Sequence, residues 1–133
     1  MECPIIRVIP QRYGGDCGVA CLAMLLGVSY ENALVAAAQV APNVCITGIW
    51  IKHMQTAALL LGYKLRRHRR FDIETDTGIL VTNTKRPKQY PVHVVVLREG
   101  LVIETDGCLW EAELYMKQHQ ATAGPLLVAE KDE

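Results

Sequence analysis

The chain has 133 residues, half of them hydrophobic, and its formal net charge at pH 7 is zero. This length fits one domain, and the apolar fraction supplies a core that needs no disulfides or metal. Zero net charge argues against wholesale binding to nucleic acid or membranes, and the apolar runs are too short to cross a bilayer. The N-terminus lacks the pattern of a signal peptide. We expect a single domain over residues 1–133, located in the cytoplasm and not bound to a membrane, while the sequence does not indicate an oligomeric state.

Apolar residues at helical spacing dominate the first half of the chain, after a short strand or extended lead-in over residues 5–9. Side chains suited to N-capping stand at the helix starts, and glycine or proline follows each helix. The predicted helices cover residues 17–26, 30–39 and 49–61, with Asp16, Ser29 and Thr47 as the respective N-caps.

The second half of the chain changes to β-branched runs separated by turn residues, a pattern typical of strands. The predicted strands cover residues 63–66, 78–82, 93–97, 101–105 and 126–129. A short helix over 110–120 precedes the last strand, residues 84–89 form a polar loop, and the tail 130–133 is expected to fray. Helices followed by strands in one domain indicate an α+β fold with segregated halves.

Cys17 is the leading candidate for a catalytic nucleophile. It follows a Gly-Gly-Asp turn at the start of a predicted helix, where the positive end of the helix dipole favours thiolate over thiol. The side-chain amide of Gln11, six residues upstream, could stabilise an oxyanion. Cys21, one turn further along, loses the field of the helix terminus, and with Cys45 it is expected to lie in the core.

A base and an acid for this thiol come from the strand region. His93 lies in an otherwise β-branched run, and a hairpin with the next strand would set Asp106 beside it. Asp106 would then orient the imidazole, and His93 would take the proton from Cys17. Glu104 shares a face with Asp106 only if the strand continues, and it is the alternative acid.

Other polar residues have simpler interpretations. The five cysteines are odd in number, and no second close Cys/His pair accompanies Cys17 and Cys21, so we expect neither a disulfide set nor a zinc site. The remaining histidines are interpreted as surface residues; they are His53, His68 and His119. The basic run over residues 64–70 is interpreted as a solvated segment, with a patch for acidic peptide or nucleic acid as the alternative.

A family resemblance rests on the motif Gln11…Asp16-Cys17-Gly18-x-Ala20-Cys21-Leu22-x-Met24. It resembles the opening motif of C39-type papain-like cysteine peptidases, which include the leader-peptidase domains of bacteriocin-exporting ABC transporters. The segments Gly48…Gly62, Val92-His93-Val94-Val95 and Asp106-Gly107 follow in the family's order, so the likeness spans about residues 5–110. Gly107 stands where the family commonly has proline.

The resemblance implies a papain-like fold in which N-terminal helices pack on a C-terminal antiparallel sheet. It also implies that Cys17 is the nucleophile, Gln11 the oxyanion donor, His93 the general base and Asp106 its orienting acid. These are the roles that the chemistry of the residues suggests independently.

The expected function is therefore a cysteine hydrolase that cleaves a peptide or isopeptide bond through an acyl-enzyme, with a peptide or protein substrate and no cofactor. Gly14 and Gly15 would let an extended substrate approach the thiol. The same residues could deamidate a glutamine side chain or transfer an acyl group to an amine. A papain-like module that binds peptide without turnover is a further alternative, and nucleic-acid binding through residues 64–70 is disfavoured by the zero net charge.

Overall fold

A computed structural model describes residues 6–83 and 93–132. The helices are α1 (Cys17–Leu26), α2 (Tyr30–Val40), α3 (Val44–Thr47), α4 (Ile51–Leu60) and α5 (Ala112–Gln118). The strands are β1 (Tyr63–His68), β2 (Thr77–Asn83), β3 (His93–Arg98), β4 (Leu101–Ile103), β5 (Leu109–Glu111) and β6 (Thr122–Lys131). None of the helices in these two ranges has the length and apolar character that crossing a bilayer requires.

The strands form one antiparallel sheet in the order β1-β6-β2-β3-β4-β5. The expected hairpin joins β3 to β4, with Val96 opposite Ile103 and Leu97 opposite Val102. Four helices precede the sheet in the chain and α5 is inserted late, so the predicted α+β architecture is confirmed.

The sheet is covered on both faces, which explains the unbroken apolar run of β3. Val94 and Val96 belong to the large cluster that contains the residues of α1, whereas Val95 and Leu97 belong to a second cluster with Tyr115 of α5. A strand buried on both faces carries apolar side chains at successive positions rather than alternate ones. Strand β3 therefore lies between the cluster that contains α1 on one face and the cluster that contains Tyr115 of α5 on the other.

Helix α1 lies in the centre of the large cluster. Residues 19–23 of this helix are completely buried, and the helix packs on β3, β2 and α2. The residues of α1 are apolar on every face of the helix, as expected of a helix without a solvent-exposed face. This burial fixes the direction of α1 and hence the position of Cys17 at its first turn.

The helix ends confirm some predicted caps and correct others. The Ser29 side chain accepts a hydrogen bond from the Asn32 amide at 3.0 Å, as predicted. Asp16 stands at the N-cap position of α1, but its side chain makes no cap bond. The prediction for Thr47 was wrong, because Thr47 ends α3, its hydroxyl donates to the Asn43 carbonyl at 3.0 Å, and Trp50 precedes α4.

The remaining differences lie where pairing between strands outweighs local preference. Strand β5 takes the first residues of the predicted helix 110–120, and β6 extends well beyond the predicted 126–129. The tail was expected to fray, yet Glu130 and Lys131 pair with Lys64 and Tyr63 of β1. Helix α3 was not anticipated, and residues 6–10 have no regular structure. The predicted loop 84–89 lies outside the described residues.

Candidate active site

The candidate site lies where the first turn of α1 meets the start of β3 and the end of β4. Cys17 is the first residue of α1, His93 is the first of β3, and Glu104 directly follows β4. Packing of α1 on β3 and pairing of β3 with β4 bring these three chain positions together. The buried helix and the paired strands are rigid elements, so the geometry of the site is set by the core.

His93 contacts both a thiol and a carboxylate. Its Nε2 lies 2.7 Å from Oε1 of Glu104, and the two side chains are only 18% and 11% exposed. Burial lowers the pKa of His93, but hydrogen bonds to Cys17 and Glu104 and the charges of both groups outweigh it and raise the pKa to about 9. The imidazole is therefore favoured in its protonated form between two acidic partners.

Glu104 is held by several donors. Its Oε1 accepts the Thr105 amide at 2.8 Å, and its Oε2 accepts the Tyr115 hydroxyl of α5. Burial raises the pKa of Glu104, but the hydrogen bonds from His93, Tyr115 and Thr105 outweigh it and lower the pKa to about 2. The carboxylate is therefore ionised at any pH near neutrality, and its orientation is fixed from two sides.

Asp106, the predicted orienting acid, is not brought to His93. Extending the β3–β4 register by three residues would place Asp106 opposite His93, but β4 ends at Ile103. The chain turns instead, with the Gly107 amide donating to the Glu104 carbonyl at 2.9 Å and Gly107 at φ 93°. Asp106 is exposed and accepts the Cys108 amide at 2.8 Å. The alternative acid Glu104 occupies the place expected of Asp106.

Gln11 contacts Thr105, the residue that follows Glu104. Its backbone amide donates to the Thr105 carbonyl at 2.7 Å, and its Oε1 accepts the Thr105 hydroxyl. Its Nε2 donates to the Tyr13 carbonyl at 2.5 Å and lies 3.4 Å from Oδ1 of Asp16. The amide predicted to bind an oxyanion is therefore held between Thr105 and the loop that leads to Cys17.

Asp16 organises that loop. It is completely buried, and its carboxylate accepts the Arg12 amide at 2.9 Å, the Tyr13 amide at 3.0 Å and the Tyr30 hydroxyl. An aspartate before a helix usually caps it, so the sequence offered no sign of this inward role. The carboxylate fixes the backbone that separates Gln11 from Cys17.

The two loop glycines have different surroundings. A Cβ on Gly15 would lie 2.9 Å from backbone atoms of residues 45, 46 and 48, and the Gly15 amide donates to the Cys45 carbonyl at 2.9 Å. A Cβ on Gly14 would meet nothing within 4 Å. Gly15 is therefore needed for close packing against α3, and only Gly14 faces open space.

The other cysteines differ clearly from Cys17. Cys21 is completely buried, and burial, the charge of Cys17 and that of Glu104 raise its pKa. Cys45 is partly buried against the large cluster and Cys108 is exposed. Cys3 lies outside the described residues. Among residues 6–83 and 93–132, no three His, Cys, Asp or Glu side chains lie close enough together to hold a metal ion.

The basic run and the remaining histidines form none of the hydrogen bonds described for His93 and Glu104, although His119 contacts Tyr115. Lys64 and Arg66 on β1 form ion pairs with Asp132 at 3.7 Å and Glu130 at 2.7 Å, so two of these cations bridge to β6. His68 is exposed on β1, and His119 is exposed but stacks on Tyr115 with ring centroids 4.1 Å apart. His53 on α4 is partly exposed.

Comparisons with known proteins show the fold. No protein-family model matches the sequence, and no curated protein matches it significantly. The crystal structure of a double-glycine-motif protease from an AMS/PCAT transporter, in complex with the leader peptide, is 19% identical, with a TM-score of 0.68 over 96% of this chain and 92% of that one. The peptidase domain of Streptococcus ComA, a bifunctional ABC transporter involved in quorum sensing, is 17% identical, with a TM-score of 0.57 over 91% of this chain and 99% of that one. The chain thus has the α+β, papain-like fold of the C39-type peptidase domains of ABC transporters.

Proposed function

We propose that the chain is a cysteine peptidase that hydrolyses a peptide or isopeptide bond through an acyl-enzyme at Cys17. The contacts of His93 carry this proposal, because it interacts with Cys17 and also with the buried carboxylate of Glu104 through Nε2 at 2.7 Å. A nucleophile, a base and a group that orients the base form the minimal set for covalent acyl transfer. The likeness of the fold to peptidase domains supports the same reaction class.

The nucleophile is a thiolate paired with an imidazolium. Because Glu104 takes Nε2 of His93, Nδ1 is the ring nitrogen that faces Cys17. The thiolate attacks the carbonyl carbon of the substrate, forming a C–S bond and moving the π electrons onto the oxygen. The backbone N–H of Cys17, at the positive end of α1, and Nε2 of Gln11 bind this oxyanion.

Breakdown of the tetrahedral intermediate uses the proton on His93. Nδ1 of His93 donates it to the leaving nitrogen, the C–N bond breaks, and the amine departs with an acyl thioester left on Cys17. Neutral His93 then takes a proton from water, whose oxygen attacks the thioester. The second tetrahedral intermediate collapses, the C–S bond breaks and the acid product leaves. The proton kept on His93 restores the thiolate–imidazolium pair.

Glu104 acts as the orienting acid in this proposal. It binds Nε2 of His93, fixes the ring so that Nδ1 points to Cys17, and stabilises the imidazolium. Asp106, the first expectation, is solvent-exposed and bonded within its own turn. We therefore assign the orienting role to Glu104.

The substrate class follows from the same comparison. The protease from the AMS/PCAT transporter was solved in complex with a leader peptide, and we extend peptide binding from that protein to this chain. Open space at Gly14, three residues before the thiol, would allow an extended peptide to approach Cys17. The proposal covers main-chain and isopeptide bonds without assigning a cleavage sequence.

The test is cleavage of a diverse peptide library, read by mass spectrometry of new termini. We expect new termini with the wild-type chain and none with Cys17→Ala, whose fold is checked by circular dichroism. Termini that persist in Cys17→Ala would contradict the assignment of the nucleophile. Conversion of glutamine to glutamate without new termini would contradict peptide cleavage and indicate deamidation by the same site.

A further inference from the structure

We propose that Thr105 is a positioning residue that aligns the side-chain amide of Gln11 for the oxyanion. This inference rests on the proposed function and names a residue that the sequence did not suggest. Thr105 is 1% exposed, and its hydroxyl donates to Oε1 of Gln11 and lies 3.1 Å from Oε1 of Glu104. The Thr105 hydroxyl is therefore buried between Gln11 and Glu104.

The surrounding hydrogen-bonding groups fix the positions of the NH₂ group and the oxygen of the Gln11 side-chain amide. Nε2 of Gln11 faces the Tyr13 carbonyl at 2.5 Å and Oδ1 of Asp16 at 3.4 Å. A carbonyl oxygen and an ionised carboxylate only accept hydrogen bonds, so they require the NH₂ end. The Thr105 hydroxyl supplies a donor to the other end. A flipped amide would lose all of these bonds.

One N–H of Gln11 is poised to serve the oxyanion. The bond from Nε2 to the Tyr13 carbonyl is short, whereas the 3.4 Å separation from Asp16 is at the weak end of hydrogen-bond geometry. A small rotation of the Gln11 side chain can redirect the N–H of this weak bond to the oxyanion, which is a stronger acceptor, when the oxyanion forms. Thr105 limits this rotation, because its hydroxyl holds the amide oxygen in place.

The same chain segment also holds the acid behind His93. The Thr105 carbonyl accepts the Gln11 backbone amide at 2.7 Å, and the Thr105 backbone amide donates to Oε1 of Glu104 at 2.8 Å. Thr105 therefore contacts both the carboxylate that binds His93 and the residue proposed to bind the oxyanion. The hydroxyl is the only part of the Thr105 side chain in these contacts, and its short bond is to Oε1 of Gln11 rather than to Glu104 at 3.1 Å.

Two reactions of the same thiol separate these roles. Iodoacetamide alkylates Cys17 when the thiolate displaces iodide from a saturated carbon, and this reaction forms no oxyanion. With p-nitrophenyl acetate, the thiolate attacks an ester carbonyl, an oxyanion forms, p-nitrophenolate leaves, and water hydrolyses the acetyl thioester. The ratio of acylation to alkylation rates, each corrected with Cys17→Ala, therefore reports oxyanion binding.

The decisive variants remove the hydroxyl of Thr105 in one case and keep it in the other. We expect Thr105→Val to slow acylation by about tenfold or more, a part of the ~10²-fold or larger loss known for removing an oxyanion donor, while alkylation stays within about twofold. Thr105→Ser, which keeps the hydroxyl, should restore acylation. In a Gln11→Ala background Thr105→Val should cause no further loss, because the two residues act as one unit.

The outcomes distinguish this inference from the proposed function. Parallel loss of both rates, failure of Thr105→Ser to restore acylation, or unchanged acylation in Thr105→Val would overturn the role of Thr105. If Thr105→Val does not fold, as judged by circular dichroism, Thr105→Ala removes the hydroxyl without adding a methyl group and carries the same expectation. A wild-type Cys17 that shows no reactivity dependent on His93 would instead overturn the proposed function.

Discussion

Glu104 and Asp106 lie two residues apart and have opposite surroundings. Glu104 is buried and binds His93, Tyr115 and Thr105, whereas Asp106 is exposed and caps its own turn. The difference arises because β4 ends at Ile103 and the chain turns over residues 104–107. The end of β4 therefore determines which acid contacts His93, and the spacing of residues along the chain does not reveal where β4 ends.

Replacing each acid by its amide should give the largest difference in activity between the two positions. Glu104→Gln should slow acylation by p-nitrophenyl acetate about 10²- to 10⁴-fold, because an amide cannot stabilise the imidazolium. Asp106→Asn, the matched control, should stay within about threefold, as surface substitutions usually do. A greater loss in Asp106→Asn than in Glu104→Gln would return the orienting role to Asp106.

Tyr115 of α5 provides a hydrogen bond that Glu104 has and Asp106 lacks. Its ring is 1% exposed and packs edge-on against Trp110, with centroids 6.0 Å apart, and its hydroxyl donates to Glu104. Tyr115→Phe keeps the ring and removes a hydrogen bond to a charged group, so the free energy of unfolding in urea should fall by about 1.5–3 kcal/mol.

Tyr13→Phe provides the control for that change. The Tyr13 side chain is 57% exposed, and losing its hydroxyl should alter the free energy of unfolding by about 0.5 kcal/mol or less. Equal losses in the two variants would mean that the bond from Tyr115 to Glu104 contributes nothing specific.

The pH dependence of stability should carry the signature of the Glu104–His93 pair. The pKa of Glu104 falls from 4.5 to about 2, so its contribution is fully present above pH 4.5 and is lost as the pH falls toward 2. The pKa of His93 rises from 6.5 to about 9, so its contribution is fully present below pH 6.5 and is lost as the pH rises toward 9.

Urea unfolding across this range should therefore show the largest contribution of the pair between pH 4.5 and 6.5. Glu104→Gln should flatten the acid limb and reduce the alkaline one, while Asp106→Asn should keep the wild-type profile. Parallel profiles for wild type and Glu104→Gln would show that the pair does not stabilise the fold.

Features set by local chemistry were predictable from the sequence. The apolar run and Gly27 defined α1, and Gly100 in the turn between β-branched runs defined the β3–β4 hairpin. Local residue type indicated Cys17, His93 and Gln11 as candidates, and the fold places all three in one region. Their catalytic roles stay predictions.

Features set by pairing between distant strands were not predictable. Strand β6 begins with Thr-Ala-Gly-Pro, a weak strand sequence, yet it extends over residues 122–131 because β1 and β2 pair with it on both sides. A register shift between Leu80 and Thr82 accommodates this segment, where a Cβ on Gly124 would lie 2.9 Å from the Val81 carbonyl oxygen. Thr105 was overlooked because its partner Gln11 lies 94 residues away in the chain.

The central claim is that Cys17 and His93 form a reactive pair, and alkylation at pH 6 tests it most directly. Peptide mass mapping after iodoacetamide treatment compares Cys17 with the exposed Cys108 and the buried Cys21 in the same molecule. We predict that Cys17 reacts about tenfold or more faster than Cys108, that His93→Ala removes this advantage, and that Cys21 reacts only after unfolding. Equal rates at Cys17 and Cys108, unchanged by His93→Ala, would contradict the account.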